Sequence, residues 1–161
     1  MGTIGQKIAK RAAAFDMEVG YHNRKPKEGA AQRLLRRSEV AGRMGRLLVL
    51  AAPGGPATKH LVNAEVLDAL GPQGYLVSIG RGSVVDTEAL AAALRENRIA
   101  GAGLDVYESE PKRPEQLIGL DNVLLTPHMA GWSPEATQKS VDHFLANAEG
   151  HFAGRGVVTP I

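Results

Sequence analysis

The sequence contains no cysteine. That excludes a disulfide-stapled scaffold, a thiolate metal site and a cysteine nucleophile, and with no signal-type opening it leads to the expectation of a reducing, cytoplasmic setting. Aromatic residues make up only 4% of the chain, too few for stacking platforms that hold single-stranded nucleic acid or for an aromatic cage. The core must therefore be aliphatic. No apolar run approaches the roughly 18 residues that a membrane-spanning helix needs, so a membrane is not expected as a partner. There is no internal repeat, and no linker rich in Pro, Gly and Ser divides the chain.

What is present is ordinary globular material: 161 residues, 43% apolar and 22% charged, enough for one core. The net charge of +2 hides an asymmetry, since residues 1–46 carry 11 Lys/Arg against 4 Asp/Glu and residues 47–161 carry 8 against 13. The early cations come from a helix-like opening and from Arg33, Arg36, Arg37, Arg43 and Arg46, without interleaved aromatics. They read as a solvated helix face or a site for a phosphorylated small molecule rather than a nucleic-acid footprint.

Short apolar runs alternate with helical patterns. Segments 18–21, Leu47–Leu50, Tyr75–Ser78, 102–104 and Val123–Leu125 are nearly continuous apolar stretches, the mark of parallel strands buried on both faces. Between them, helices have legible ends: Asn63 opens 64–70 and Gly71-Pro72 closes it, Asp86-Thr87 opens 88–97, and Ser133-Pro134-Glu135 opens a last helix to about residue 151 with Gly154 beyond. The order βαβα predicts a doubly wound α/β sheet.

Met1-Gly2-Thr3-Ile4-Gly5 leads at once into an amphipathic helix over 6–14 and then a strand ending at Tyr21. In the turn G-x-G-x-x-G, the second glycine lets backbone approach a pyrophosphate and the third lets the helix pack on its strand, while the helix N-terminus attracts the anion. Gly2 and Gly5 have the spacing of that second and third glycine. By itself such a half-motif is equally well an ordinary Gly-rich opening.

Further motifs accompany it in order: Leu-Val-Leu-Ala-Ala-Pro53, Val77-Ser-Ile-Gly-Arg81-Gly82-Ser-Val-Val-Asp86, Gly103-Leu-Asp105-Val-Tyr-Glu-Ser-Glu110-Pro111 and Leu125-Thr-Pro-His128. Over residues 2–27 and 47–161 the chain resembles the D-isomer-specific 2-hydroxyacid dehydrogenases, and among them the glyoxylate and hydroxypyruvate reductases. The resemblance implies a Rossmann-like doubly wound parallel sheet. Residues 1–131 would form the NAD(P)-binding domain, and 132–161 a helix and tail that return to a substrate domain. It also implies that the substrate domain and the first, central strand of the sheet lie outside this chain, which by itself is then expected to lack turnover. The resemblance lapses over 29–46, where Arg46 replaces an acidic residue, and Asp16 stands where the family favours a helix-ending glycine.

The resemblance implies site residues as well. Hydride transfer to a 2-keto acid leaves negative charge on the carbonyl oxygen, so a proton donor must lie within hydrogen-bond reach. His128 takes that role, Glu110 favours its imidazolium form, and Arg81 offers the substrate carboxylate a planar bidentate donor. Singly, a His after a strand, an Arg-Gly turn and a Glu-Pro loop are commonplace structural features; the joint match assigns them. Gly2, Thr3, Ile4, Gly5, Ala52, Pro53, Ile79, Gly80 and Gly131 are expected to line the dinucleotide, and Asp105 to hold its carboxamide, although Asp after a strand is also a plain turn former. His22, His60, His143 and His151 show no metal-ligand spacing with carboxylates, so no metal is expected.

Cofactor preference resides after the second strand. Asn23 stands where an NAD enzyme places an acid, followed by Arg24 and Lys25; a neutral amide with cations suits the 2′-phosphate of NADP better than NAD, unless this is merely a solvated basic turn before Pro26. The expected function is NADPH-dependent reduction of glyoxylate or hydroxypyruvate by a homodimer. A non-catalytic nucleotide-binding or dimerising module is the alternative, and an NAD-linked relative acting on phosphoglycerate or lactate a third.

Overall fold

The computed structural model describes residues 1–23, 25–26, 32–35 and 46–159. Arg24, Arg36, Arg37 and Arg43 lie outside these described residues. Two compact units are present, Met1–Pro127 and His128–Ile161.

The first unit begins with helix α1 (Thr3–Ala13), which leads to a two-residue strand, β1 (Gly20–Tyr21), paired in parallel with β2 (Arg33–Leu34). A second sheet follows, with β3 (Leu47–Leu50), β4 (Tyr75–Ser78), β5 (Gly101–Leu104) and β6 (Val123–Leu125) side by side in chain order and all parallel. Helix α2 (Ala64–Leu70) connects β3 to β4 and α3 (Thr87–Arg95) connects β4 to β5, with 3-10 turns at Pro56–Thr58 and Gly82–Val84. These are the parallel sheets with crossover helices expected of a Rossmann-like α/β domain. Among the described residues no strand pairs β1 with β3; the doubly wound order places its first strand between two such edges.

The helix ends follow their capping chemistry. The side chains of Asn63 and Asp86 accept from the backbone N–H groups of Val66 (3.2 Å) and Ala89 (3.0 Å), satisfying amides that lack partners in a first turn. Gly71, at φ 77°, ends α2 in a conformation that only glycine adopts freely. Asp16 takes φ 56°, so the left-handed residue after α1 is made with an aspartate, one of the few side chains that tolerate it.

The core is the aliphatic cluster that the composition demanded. Leu67 of α2, Leu90 and Leu94 of α3, Leu76 of β4, Ile99 and Leu117 are fully buried, and Val62, Val84 and Val85 join them; each such Leu contributes about 1.5–3 kcal/mol relative to an exposed one. The expectation of strands buried on both faces needs correction. Leu76 and Ser78 are buried on one face of β4, but Tyr75 on the other is 53% exposed, as are Leu47 (44%) and Leu124 (70%) of the neighbouring strands. Helices α2 and α3 supply the core on one face only; the other face lacks comparable cover among the described residues. Strand β1 is also shorter than the expected 18–21, because a ladder extends only as far as its partner, and β2 offers two residues.

The second unit is built on helix α4 (Pro134–Phe152), capped by Ser133, whose hydroxyl accepts from the Ala136 amide at 3.1 Å. Gly154 ends it at φ 69°, and the Asn147 side chain holds the tail by accepting from the Val158 (2.8 Å) and Thr159 (3.1 Å) amides. Among the described residues no helix is long and apolar enough to cross a membrane.

Candidate functional site

Gly2 is the N-cap of α1, and Thr3, Ile4 and Gly5 form its first turn. No side chain caps this end and the first turn carries no acidic residue. A Cβ built on Gly2 would meet nothing within 4 Å. The helix therefore presents backbone amides and the positive end of its dipole to open space, the donor set that an anion requires.

After β1, Asn23 is half-buried and its amide oxygen accepts from the Met1 amine, while Lys25 is exposed. Arg24 is outside the described residues. Ala52, Pro53, Ile79, Gly80, Arg81, Asp105 and Glu110 follow the C-terminal ends of β3, β4 and β5, where open α/β sheets bind ligands. Ala52 and Pro53 follow β3, and the Pro53 carbonyl accepts from the Thr58 hydroxyl (2.7 Å). Ile79 follows β4 and donates to Leu50 (3.1 Å). Gly80 lies so near Ala52 that a Cβ there would stand 2.5 Å from the Ala52 carbonyl oxygen.

Arg81 is exposed, with extended backbone, and its guanidinium donates to the Gly80 carbonyl at 2.8 Å. Its neighbour Gly82 abuts the loop after β5: a Cβ on Gly82 would fall 2.0 Å from both the carbonyl carbon and oxygen of Tyr107 and 2.4 Å from the Glu108 nitrogen. That loop carries Glu110, exposed, whose Oε1 accepts from the Tyr107 amide at 2.7 Å. The Glu110-Pro111 peptide is cis. Arg81 and Glu110, distant in sequence, thus sit on two turns in backbone contact.

Asp105, at the end of β5, is only 5% exposed. Its Oδ1 accepts from the Thr126 hydroxyl at 2.6 Å and its amide donates to Ser78 at 3.0 Å. Thr126 was no part of the expected site, and neither was Tyr107, whose hydroxyl donates to the Leu104 carbonyl (3.2 Å) and to that of Thr126. Burial, then the negative charges of Asp105 and Glu110, raise the Tyr107 phenol above its ordinary range, so it remains a neutral donor. The signal that could have found Thr126 is its place one residue after β6, level with Asp105 across a parallel pair.

In the second unit His128 is exposed and takes φ 53°, a left-handed conformation uncommon outside glycine. Gly131, three residues on, has open space around its Cβ position.

Residues 1–130 match the family described as D-isomer specific 2-hydroxyacid dehydrogenase, NAD binding domain. The chain belongs to this family. The chain is 42% identical to hydroxyphenylpyruvate reductase of Plectranthus scutellarioides and 41% identical to glyoxylate/hydroxypyruvate reductase A of Arabidopsis thaliana; both matches cover 100% of this chain and 51% of the relative. Among solved structures, it matches the NADPH-dependent glyoxylate/hydroxypyruvate reductase of Sinorhizobium meliloti, in complex with NADP and malonate, at 41% identity and a TM-score of 0.93 over 99% of this chain and 50% of that one. The chain therefore spans about half the length of the curated relatives it matches.

Proposed function

We propose that this chain is the cofactor-binding, proton-supplying half of an NADPH-dependent reductase that converts a small 2-keto acid, glyoxylate or hydroxypyruvate, to the 2-hydroxy acid. The observation that carries the reading is the backbone contact between the Arg81-Gly82 turn and the Glu110 loop at the C-terminal ends of β4 and β5. The uncapped α1 N-terminus with open space at Gly2 fits a dinucleotide pyrophosphate. When bound, the reduced nicotinamide supplies the hydride.

The tasks assigned to this half fall to its side chains and amides. The amides of the Gly2–Gly5 turn hold the pyrophosphate, and Ala52, Pro53, Ile79, Gly80 and Gly131 line the cofactor. Asp105, fixed by Thr126, holds the carboxamide. Arg81 receives the substrate carboxylate through its guanidinium fork. His128 holds the proton that the carbonyl oxygen needs as negative charge develops, with Glu110 as its supporting carboxylate. Asn23, Arg24 and Lys25 favour the 2′-phosphate of NADP; the Sinorhizobium meliloti relative is itself described as NADPH-dependent. The three relatives named above are all described as reductases, which does not favour a non-catalytic module.

The test compares the 161-residue chain with the same chain joined to the half of the Sinorhizobium meliloti reductase that it does not span. NADPH oxidation driven by glyoxylate or hydroxypyruvate is expected in the joined enzyme and absent from the chain by itself. A joined, folded enzyme that binds NADPH yet reduces neither acid would overturn the reading.

A further inference from the structure

A cluster outside the assigned site lies under the Glu110 loop. His60, in the segment between the Pro56–Thr58 turn and α2, adopts φ 47°. A non-glycine residue in the left-handed region is uncommon, and its surroundings must hold it there. Here the backbone does so: the His60 amide donates to Ser83 (2.9 Å), the Val62 amide to Val84 (3.0 Å) and the Asp86 amide to Val62 (2.9 Å). The segment after Pro53 is thereby tied alongside the one that follows Arg81-Gly82.

The imidazole that this backbone presents reaches a carboxylate on either side. Its Nε2–H donates to Glu108 Oε1 at 2.8 Å, since a carboxylate only accepts. Its Nδ1 is 3.7 Å from Asp86 Oδ2. The other oxygen of Glu108 accepts from the Thr87 hydroxyl at 3.3 Å. Glu108 is therefore held through both oxygens, from the 60–62 segment and from the start of α3. Two residues further on, Glu110 is fixed by the Tyr107 amide at 2.7 Å. The pair His60 and Glu108 is partly exposed, 36% and 34% by side chain, where an ion pair adds little to stability. A left-handed residue held by backbone bonds on one side and bonded to Glu108 on the other points to placement as its use.

We propose that His60 is a positioning residue: by gripping Glu108 it fixes the Tyr107–Glu110 loop against the Arg81-Gly82 turn, and so sets where the Glu110 carboxylate lies relative to Arg81. The inference rests on the reading that Glu110 supports the proton donor. His60 touches neither substrate nor cofactor and acts through Glu108.

Three variants test it. His60→Gly removes the grip and also relieves the left-handed backbone, so the fold is retained. Glu108→Gln weakens the grip from its other end. His60→Gln restores an N–H donor and serves as the conservative rescue. In the full chain loaded with NADPH, His60→Gly is expected to speed exchange of the Tyr107 amide about tenfold, with the amides of Leu76 and Leu90 unchanged, as befits a local opening. In the enzyme joined to the missing half, kcat is expected to fall about 10- to 100-fold with NADPH affinity unchanged, because a displacement near 1 Å of a catalytic group costs on that order. His60→Gln recovers part of both effects, and Glu108→Gln reproduces them in milder form.

Tyr107 exchange within a factor of about two of the parent in His60→Gly overturns the inference, whatever the turnover. A kcat that holds while Tyr107 exchange rises also overturns it. A parent enzyme that binds NADPH but reduces no 2-keto acid counts against the reductase reading instead, and the Tyr107 amide then still decides whether His60 fixes the loop.

Discussion

Replacing Gly82 by alanine adds one methyl group at the tightest backbone approach in the site. Gly82 does not take a positive φ, so alanine meets no conformational penalty of its own there. The whole effect is steric. The new Cβ would lie 2.0 Å from the Tyr107 carbonyl carbon and oxygen and 2.4 Å from the Glu108 nitrogen, whereas ordinary contact begins at 3.4 Å. Backbone cannot swing aside as a side-chain tip can, so the Arg81 turn and the Glu110 loop must part by more than an ångström. Overpacking of this kind costs about 1–3 kcal/mol. Urea denaturation of the chain reads that loss directly, with Gly131→Ala as control, since a Cβ there meets nothing within 4 Å and is expected to stay within about 0.5 kcal/mol of the parent. The same parting moves Arg81 away from Glu110, so a joined enzyme carrying Gly82→Ala should lose roughly two decades of turnover. Stability and turnover both indistinguishable from the parent would refute the claim that these two turns are held by direct backbone contact.

Gly2→Ala separates fold from function in the opposite sense. Its Cβ enters open space, so stability should stay within about 0.5 kcal/mol while NADPH affinity drops by roughly one to two decades, which a fluorescence titration reads; equal affinity would remove the α1 N-terminus from the cofactor site. In the joined enzyme, His128→Ala should cost about two to four decades in kcat and leave NADPH affinity nearly untouched. Turnover within a factor of about two of the parent would place the proton donor elsewhere. Leu67→Ala, at a fully buried position between α2 and the sheet, should lower unfolding free energy by about 2–5 kcal/mol in urea; a loss below about 1 kcal/mol would mean that the α2 face is not the core.

Capping and hydrophobic runs made most of the α/β order legible. Asn63, Asp86 and Ser133 each bond the amide three residues on, and four of the five expected strands appear within a residue of their expected ends. Strand β2 was not legible, because Arg33 and Leu34 carry no period and lie where the family resemblance lapses. One-sided burial was hidden too, since a continuous apolar run does not say how many faces are covered. At the candidate site, the family resemblance proposed Arg81, Glu110 and Asp105, whereas the close approach of Gly82 to Tyr107 and Glu108, 25 or more positions along the chain, shows only in the folded chain. Nor did His60 carry a sequence signal: its left-handed backbone and its grip on Glu108, 48 positions away, are properties of the folded chain.

The most direct test of the central claim, that this chain is the cofactor half of an NADPH-dependent reductase, is equilibrium titration of the 161-residue chain with NADPH and with NADH, followed by nicotinamide fluorescence. Charge-assisted contacts to a 2′-phosphate from Asn23, Arg24 and Lys25 are worth about 1.5–3 kcal/mol, so NADPH should bind tighter by roughly one to two decades. Raising the salt concentration should narrow that gap, since salt screens a charge such as that of the exposed Lys25. Equal or tighter binding of NADH, or binding of neither dinucleotide by the folded chain, would contradict the account.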